Sequence, residues 1–402
     1  MKKQFFYLSL ALGFVFGSLM FTSCGSDDDD TTTNTPPPSA SNNPESTDDD
    51  GTPPSDSGTE GETPSITPEF VSTALTLEAI DAGTITFDNK AAGIVSYRID
   101  GGDVQTIAVS TSGNISVTAG QKVTFYGDNA TYGATSSSNC SKISCSADVY
   151  VYGNVMSLVS STGYESVTTL PSGNENTFRG LFAGNSHIKN HSEKDLVLPA
   201  TTLTRYCYYG MFSGCTGLTK APVLPAAEVK EYCYSCMFLN CSGLTSAPVL
   251  SAMVLARECY TSMFEGCANL TTAPALPATT MYQECYKDMF SGCTNLATAP
   301  ELPATTLADG CYIRMFQNCS SLVTAPNLPA ATLQPTCYKE MFKGCSSLNS
   351  IKCLATNRDA TDCTTNWVSG VSGSGSFYKA STTTWTEGTS GKPAGWTEYN
   401  AN

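Results

Sequence analysis

Cys285-Tyr286-Lys287-Asp288-Met289-Phe290-Ser291-Gly292-Cys293-Thr294-Asn295-Leu296-Ala297-Thr298-Ala299-Pro300-Glu301-Leu302-Pro303-Ala304-Thr305-Thr306-Leu307 is one statement of a 26-residue unit. Its signature is CYxxMFxxCxxLxxAPxLPATTL; the CYxxMFxxCxxL part recurs six times within residues 177–371, and Ala-Pro-x-Leu follows in the first five. The first cysteine falls at Cys207, Cys233, Cys259, Cys285, Cys311 and Cys337, and every step is 26 with no insertion. The Met-Phe pairs, from Met211-Phe212 to Met341-Phe342, keep the same beat. So do the second cysteines (Cys215, Cys241, Cys267, Cys293, Cys319 and Cys345) and the leucines from Leu218 to Leu348.

A fixed period of roughly 20–29 residues with leucine at set offsets is the pattern of a leucine-rich solenoid, in which no unit buries its apolar face alone. Within a unit, Cys207, Met211, Cys215 and Leu218 stand at i, i+4, i+8 and i+11, which predicts one face of a short helix widened by Phe212. Gly214, Pro222 and Pro225 then end that helix, and the Ala-Pro-x-Leu-Pro run is extended. Proline has no N–H for a lateral ladder, so the strand there should be short or irregular. The expected fold class is an α/β repeat, with each 26-residue unit a short helix plus a short extended segment.

Degenerate units mark both ends. Before the first full unit, Phe178 to Gly184 repeats the pattern with Thr177 and Asn185 in the cysteine slots. After the last, Cys363 lies 26 residues past Cys337, and Trp367-Val368 takes the Met-Phe slots. Trp367, Trp385 and Trp396 all fall in this closing stretch beside Phe377 and Tyr378. They read either as a cover over the open end of the core or as an aromatic platform for sugars.

Eighteen cysteines resemble a disulfide framework. On a continuous helix, however, Cys207 and Cys215 would stand about 12 Å apart, and a disulfide needs Cα atoms within about 7 Å. Equivalent cysteines on stacked helices would be roughly 8–10 Å apart. Most therefore read as small buried apolar side chains in ladders along the core. Bridges from one unit's second cysteine to the next unit's first, Cys215 to Cys233 for example, stay open if the helices are very short. Cys236 breaks the pattern and reads as a surface thiol.

Upstream, residues 69–170 change to a period of two. Candidate strands are 74–80, 84–88, 94–99, 104–109, 114–117, 122–126 and 148–155, separated by turn-formers such as Asp100-Gly101-Gly102. Seven short strands predict a small all-β domain, an immunoglobulin-like sandwich. Cys140 and Cys145 could bridge within a loop. Residues 24–68 are Thr, Ser, Pro, Asp and Glu with almost nothing apolar, a composition that predicts a disordered tether. Residues 25–70 hold twelve acidic groups and neither lysine nor arginine, so most of the net charge of −15 belongs to this tether. Without a basic stripe, nucleic acid is not an expected partner.

The chain opens with Lys2-Lys3, an apolar run from Phe5 to Phe21, and Thr22-Ser23-Cys24. This reads as a lipoprotein signal over residues 1–23, with lipidation at Cys24. The acidic run Asp27 to Asp30 after it reads as an export tag or a solvated spacer. The expected address is the outer membrane, lipid-anchored and at the cell surface, with membrane contact through the lipid only.

Chemistry is sparse. His187 and His191 stand at i and i+4 with no glutamate to complete an HExxH-type site. No GxSxG, phosphate-binding glycine loop or metal-knuckle spacing occurs, and no base accompanies a nucleophilic cysteine. The chain does not read as an enzyme, and no catalytic, cofactor or metal residues emerge.

The core Met263-Phe264-Glu265-Gly266-Cys267-Ala268-Asn269-Leu270, with its following Leu-Pro turn, resembles the BspA-like leucine-rich repeats of surface lipoproteins from gut and oral anaerobes. The first cysteine of each unit departs from that family, where aliphatic residues are common. The resemblance implies a noncatalytic protein-binding surface for adhesion to extracellular host or bacterial surface proteins. Alternatives are a surface glycan-binding component of a nutrient-uptake system and a structural surface coat. A binding face would use the positions that vary while the frame repeats. One set is Lys220, Ser246, Thr272, Thr298 and Thr324, and a second is Val223, Val249, Ala275, Glu301 and Asn327. The third is the pairs before each Cys-Tyr: Arg205-Tyr206, Glu231-Tyr232, Arg257-Glu258 and Gln283-Glu284.

Overall fold

The computed structural model describes residues 73–90, 93–128, 140–173 and 175–401. Cys24, the signal and the tether lie outside the described residues.

The segment expected to be helical is not a helix. Among the described residues the helical segments are two short 3-10 turns, Val155–Leu158 and Tyr164–Ser166, both before the repeats. Residues 206–214 and their counterparts form a coil of consecutive turns. An α-helix needs every residue right-handed and every N–H bonded four residues back. Here a left-handed residue recurs every fourth position: Tyr232, Cys236 and Asn240 in one unit, Glu258, Ser262 and Gly266 in the next. The N–H groups alternate in destination. Met237 N bonds back three residues to Tyr234 O at 3.2 Å, whereas Phe238 N reaches forward to Met263 O of the next unit at 2.9 Å. The spacing of four that suggested a helix face is the period of this turn coil. The α/β leucine-rich-repeat assignment is therefore corrected to a stack of turn coils and short parallel strands.

The inward side chains fall into columns along the stack. Tyr208, Tyr234, Tyr260, Tyr286, Tyr312 and Tyr338 stack at 5.8–6.1 Å between ring centroids. Phe182, Phe212, Phe238, Phe264, Phe290, Phe316 and Phe342 stack at 5.4–5.8 Å, with rings within 10° of parallel. The near-parallel rings follow from the same residue recurring at one position of every unit. Trp367 closes both columns, 6.2 Å from Tyr338 and 6.1 Å from Phe342.

The extended side follows its prolines. Through the Ala-Pro-x-Leu-Pro units the contacts are single parallel bridges, Lys220 to Ser246, Ser246 to Thr272, Thr272 to Thr298 and Thr298 to Thr324. Where proline drops out, regular strands appear. Thr324–Leu328, Ser350–Cys353, Ser376–Lys379 and Thr397–Asn400 form a four-stranded parallel sheet. Only the first of these four contains a proline, Pro326, and its ladder shifts register between Thr324 and Asn327.

The immunoglobulin-like sandwich is also corrected. Two sheets are present and they pack face to face, with Phe87 and Phe125 5.4 Å apart across them. Thr111–Val117, Gly83–Asn89 and Lys142–Cys145 make a three-stranded sheet. The larger sheet has seven strands and does not close on itself. Val149–Asn154 takes Ile188–Asn190 and Leu196–Val197 alongside it in parallel, both from the degenerate first unit. A sandwich of that class is antiparallel and self-contained. Here its outer strand is covered by the repeats, which removes an exposed edge. Ile143 N also bonds Leu181 O of the first turn coil at 2.6 Å. One hydrophobic core consequently runs from Ala74 to Trp396.

Candidate functional site

The core columns leave two outward faces. On the extended face, Lys220, Ser246, Thr272, Thr298 and Thr324 are exposed and stacked in register. Val223, Val249, Ala275, Glu301 and Asn327 form a second exposed column. Units one and two make its most apolar part, since Val223, Val249, Met253 and Val254 are each about half exposed, between 49% and 58%.

The turn-coil face carries the third varying set, and here the side chains touch one another. Tyr206 stacks on Tyr232 at 4.6 Å and meets Tyr209 edge-on at 6.2 Å. The Arg179 guanidinium lies 4.0 Å from the Tyr209 centroid and 5.2 Å from Tyr206. Arg205 lies 4.8 Å from Tyr206, and its Nε pairs with Glu231 at 3.1 Å. Arg257 approaches Tyr232 at 5.9 Å and pairs with Glu258 at 3.2 Å. Planar guanidinium groups over tyrosine rings are held in place while their edges stay in water. Left-handed backbone recurs at Tyr206, Tyr232 and Glu258, of which Tyr206 is half-buried and the other two are buried, while Arg205, Glu231 and Arg257 beside them are exposed.

Further along this face the columns become ionic. Arg314 makes a two-pronged pair with Asp288, at 2.7 and 2.8 Å. Burial pushes the Glu258 carboxyl above its usual range, against the Tyr232 hydroxyl that donates to it at 2.8 Å. Burial raises Glu265 too, against a hydrogen bond from Ser262.

The cysteines are interior. Both repeat columns, Cys207 to Cys337 and Cys215 to Cys345, consist of buried free thiols. Cys236 is also buried, only 2% exposed, with its Sγ 3.7 Å from the Tyr209 hydroxyl, which corrects its reading as a surface thiol. Cys145 is a free thiol that accepts from Asn185 Nδ2 at 3.4 Å. The three tryptophans are buried as well. Trp385 stacks on Trp367 at 5.5 Å, and the indole N–H groups of Trp367 and Trp396 donate to Gly391 O and Ser372 O, each at 2.7 Å. No broad indole face is left for a sugar.

His187 and His191 flank the short strand Ile188–Asn190 rather than a helix. His187 Nδ1 lies 2.9 Å from Asp148 Oδ1, and His191 Nδ1 accepts from Glu193 N at 3.0 Å. Among the described residues no group of three or more His, Cys, Asp or Glu could hold a metal ion. Nor is any helix among them long and apolar enough to cross a membrane. The residues missed at the sequence level are Arg179, Tyr209 and the tyrosine column. Their signal was present, because tyrosine follows the first cysteine in all six units.

Comparison of the chain with protein-family models, curated proteins and solved structures finds no match.

Proposed function

We propose that this chain is a noncatalytic cell-surface lipoprotein, anchored through Cys24, whose repeat stack presents an adhesion surface for extracellular host or bacterial proteins. The supporting observation is the Arg179-Arg205-Tyr206-Tyr209-Tyr232 cluster on the turn-coil face. Inward columns repeat the same residue from unit to unit, whereas the exposed slot two residues before each Cys-Tyr runs Arg205, Glu231, Arg257, Gln283, Asp309. A frame that repeats inside and varies outside suits recognition, and arginine and tyrosine are the residues that dominate protein interfaces. The resemblance to BspA-like surface lipoproteins points the same way through its residue pattern, without the helix-and-strand fold that it implied. A glycan-binding role has less support, since the tryptophans that would serve it lie inside.

The test is binding of the purified protein to an array of matrix proteins, mucins and polysaccharides. Saturable binding to a protein that falls at least tenfold in Tyr206→Ala and Arg179→Ala, with unchanged melting temperature, supports the reading. Binding confined to polysaccharides, or to proteins but unaffected by both variants, refutes it.

A further inference from the structure

The outermost described strand is tied to its neighbour by an unusual trio. Lys379 on Ser376–Lys379 and Asn400 on Thr397–Asn400 are register partners on adjacent parallel strands, so their side chains share one face. Phe377 lies on that same inner face and is fully buried. Lys379 is itself only 7% exposed. Its Nζ lies 3.3 Å from the Asn400 side-chain carbonyl oxygen, 3.5 Å from Glu398 Oε1 and 2.5 Å from Thr383 O. A buried lysine is costly unless its charge is balanced, and here one carboxylate and one carboxamide are aimed at it from the next strand.

We propose that Lys379 and Asn400 become joined by an intramolecular isopeptide bond, with Glu398 carrying the protons. Glu398 takes a proton from the Lys379 ammonium, and the freed Nζ attacks Asn400 Cγ, one carbonyl bond beyond the oxygen it already contacts. The Nζ–Cγ bond forms and the Cγ–Nδ2 bond breaks. The proton held by Glu398 and a second proton from Nζ both pass to the departing nitrogen, which leaves as ammonium. Glu398 returns to carboxylate, and nothing is oxidised or reduced. Two held groups react as one molecule, which removes most of the entropic barrier to amide exchange, and a carboxylate within reach of the amine serves as the proton relay. The product pins the outer strand covalently, so that this end of the parallel sheet cannot peel. It is independent of the adhesion reading and would equally suit a structural coat.

Peptide mapping of the purified full chain decides the matter. The expected result is a single tryptic peptide spanning residues 359–402, uncleaved after Lys379 and lighter than its sequence mass by one ammonia. Linkage should be lost in Lys379→Arg and Asn400→Ala. It should also be lost in Glu398→Gln, a variant that keeps the size of the side chain and so separates chemistry from folding. Wild-type protein that is cleaved after Lys379 and carries an unmodified or merely deamidated Asn400 overturns the proposal. Full linkage in Glu398→Gln overturns the proton-relay role.

Discussion

The Cys241 thiol donates to the main-chain carbonyl of Phe212 in the preceding unit, at 2.9 Å. The same bond recurs from Cys215 to Phe182, Cys267 to Phe238, Cys293 to Phe264, Cys319 to Phe290 and Cys345 to Phe316, at 2.9–3.1 Å. The second cysteine of each unit is thus both an apolar filler and a rung between units. Cys241→Ala removes the sulfur and the donor together, and we expect a loss of about 1–2 kcal/mol from the cavity and the lost bond. Urea unfolding should show a lower midpoint at an unchanged slope. An unchanged midpoint would mean that neither the thiol's bulk nor its bond to the preceding unit contributes.

Burial pushes the Cys241, Cys285 and Cys345 thiols up to about 12. In the unfolded chain a thiol titrates near about 8.5. Between these values the unfolded state has lost protons that the folded state keeps, so stability falls as pH rises, beginning above about 8.5. Melting temperature should drop steadily from pH 8 to pH 11. A protein with Cys241, Cys267 and Cys293 replaced by valine should show a shallower decline; an equal slope would remove the thiols as its cause.

Tyr234 stacks between Tyr208 and Tyr260, and its buried hydroxyl has no hydrogen-bond partner among the described residues. Tyr234→Phe should therefore be neutral or stabilising by about 1 kcal/mol, because a desolvated donor is removed and the stack is kept. Tyr232→Phe removes the donor to the raised Glu258 carboxyl and should cost about 1 kcal/mol or more. Thermal melts of the pair test the contrast, and equal losses would contradict it.

Thr336 holds a left-handed φ of 53° in the slot that is glycine at Gly310 one unit earlier. A β-branched residue is strained there. Thr336→Asn should raise stability by about 0.5–1 kcal/mol, since asparagine tolerates this region. A drop in chemical-denaturation midpoint would show that the threonine side chain makes a compensating contact.

The Glu258 carboxyl is raised, so the folded state holds its proton more tightly than the unfolded chain does. Its contribution to stability is greatest in acid and declines as pH rises from the unfolded carboxylate range through its folded value. Glu258→Gln should narrow the stability difference between pH 5 and pH 7, as read from unfolding curves. A wider gap would reverse the assigned sign.

The repeat frame was legible in the sequence because stacking demands identity. Each phenylalanine and tyrosine of the frame stacks on its own counterpart, so these inward positions recur at 26 and announce themselves. Seven candidate strands before the repeats overlap observed ones for a related reason, since alternation reports a half-buried strand directly. Local handedness was not legible. Residues at i, i+4 and i+8 face one way in a helix and equally in a coil whose turns close every four residues. Glutamate, serine and aspartate at left-handed positions, as at Glu258, Ser262 and Asp288, give no warning of the second.

The sequence by itself determined the repeat period, the inward residues and the proline-limited strands, all of which follow from side-chain identity and backbone chemistry at known spacing. Only the tertiary structure decided that the units are turn coils, because half of their N–H groups find partners in the next unit and such bonds have no meaning within one. It likewise decided that Arg179 meets Tyr209, that Trp367 closes both aromatic columns, and that Lys379 faces Glu398 and Asn400. Those contacts join residues distant in the chain, and only the stacking of one unit on the next brings them within reach.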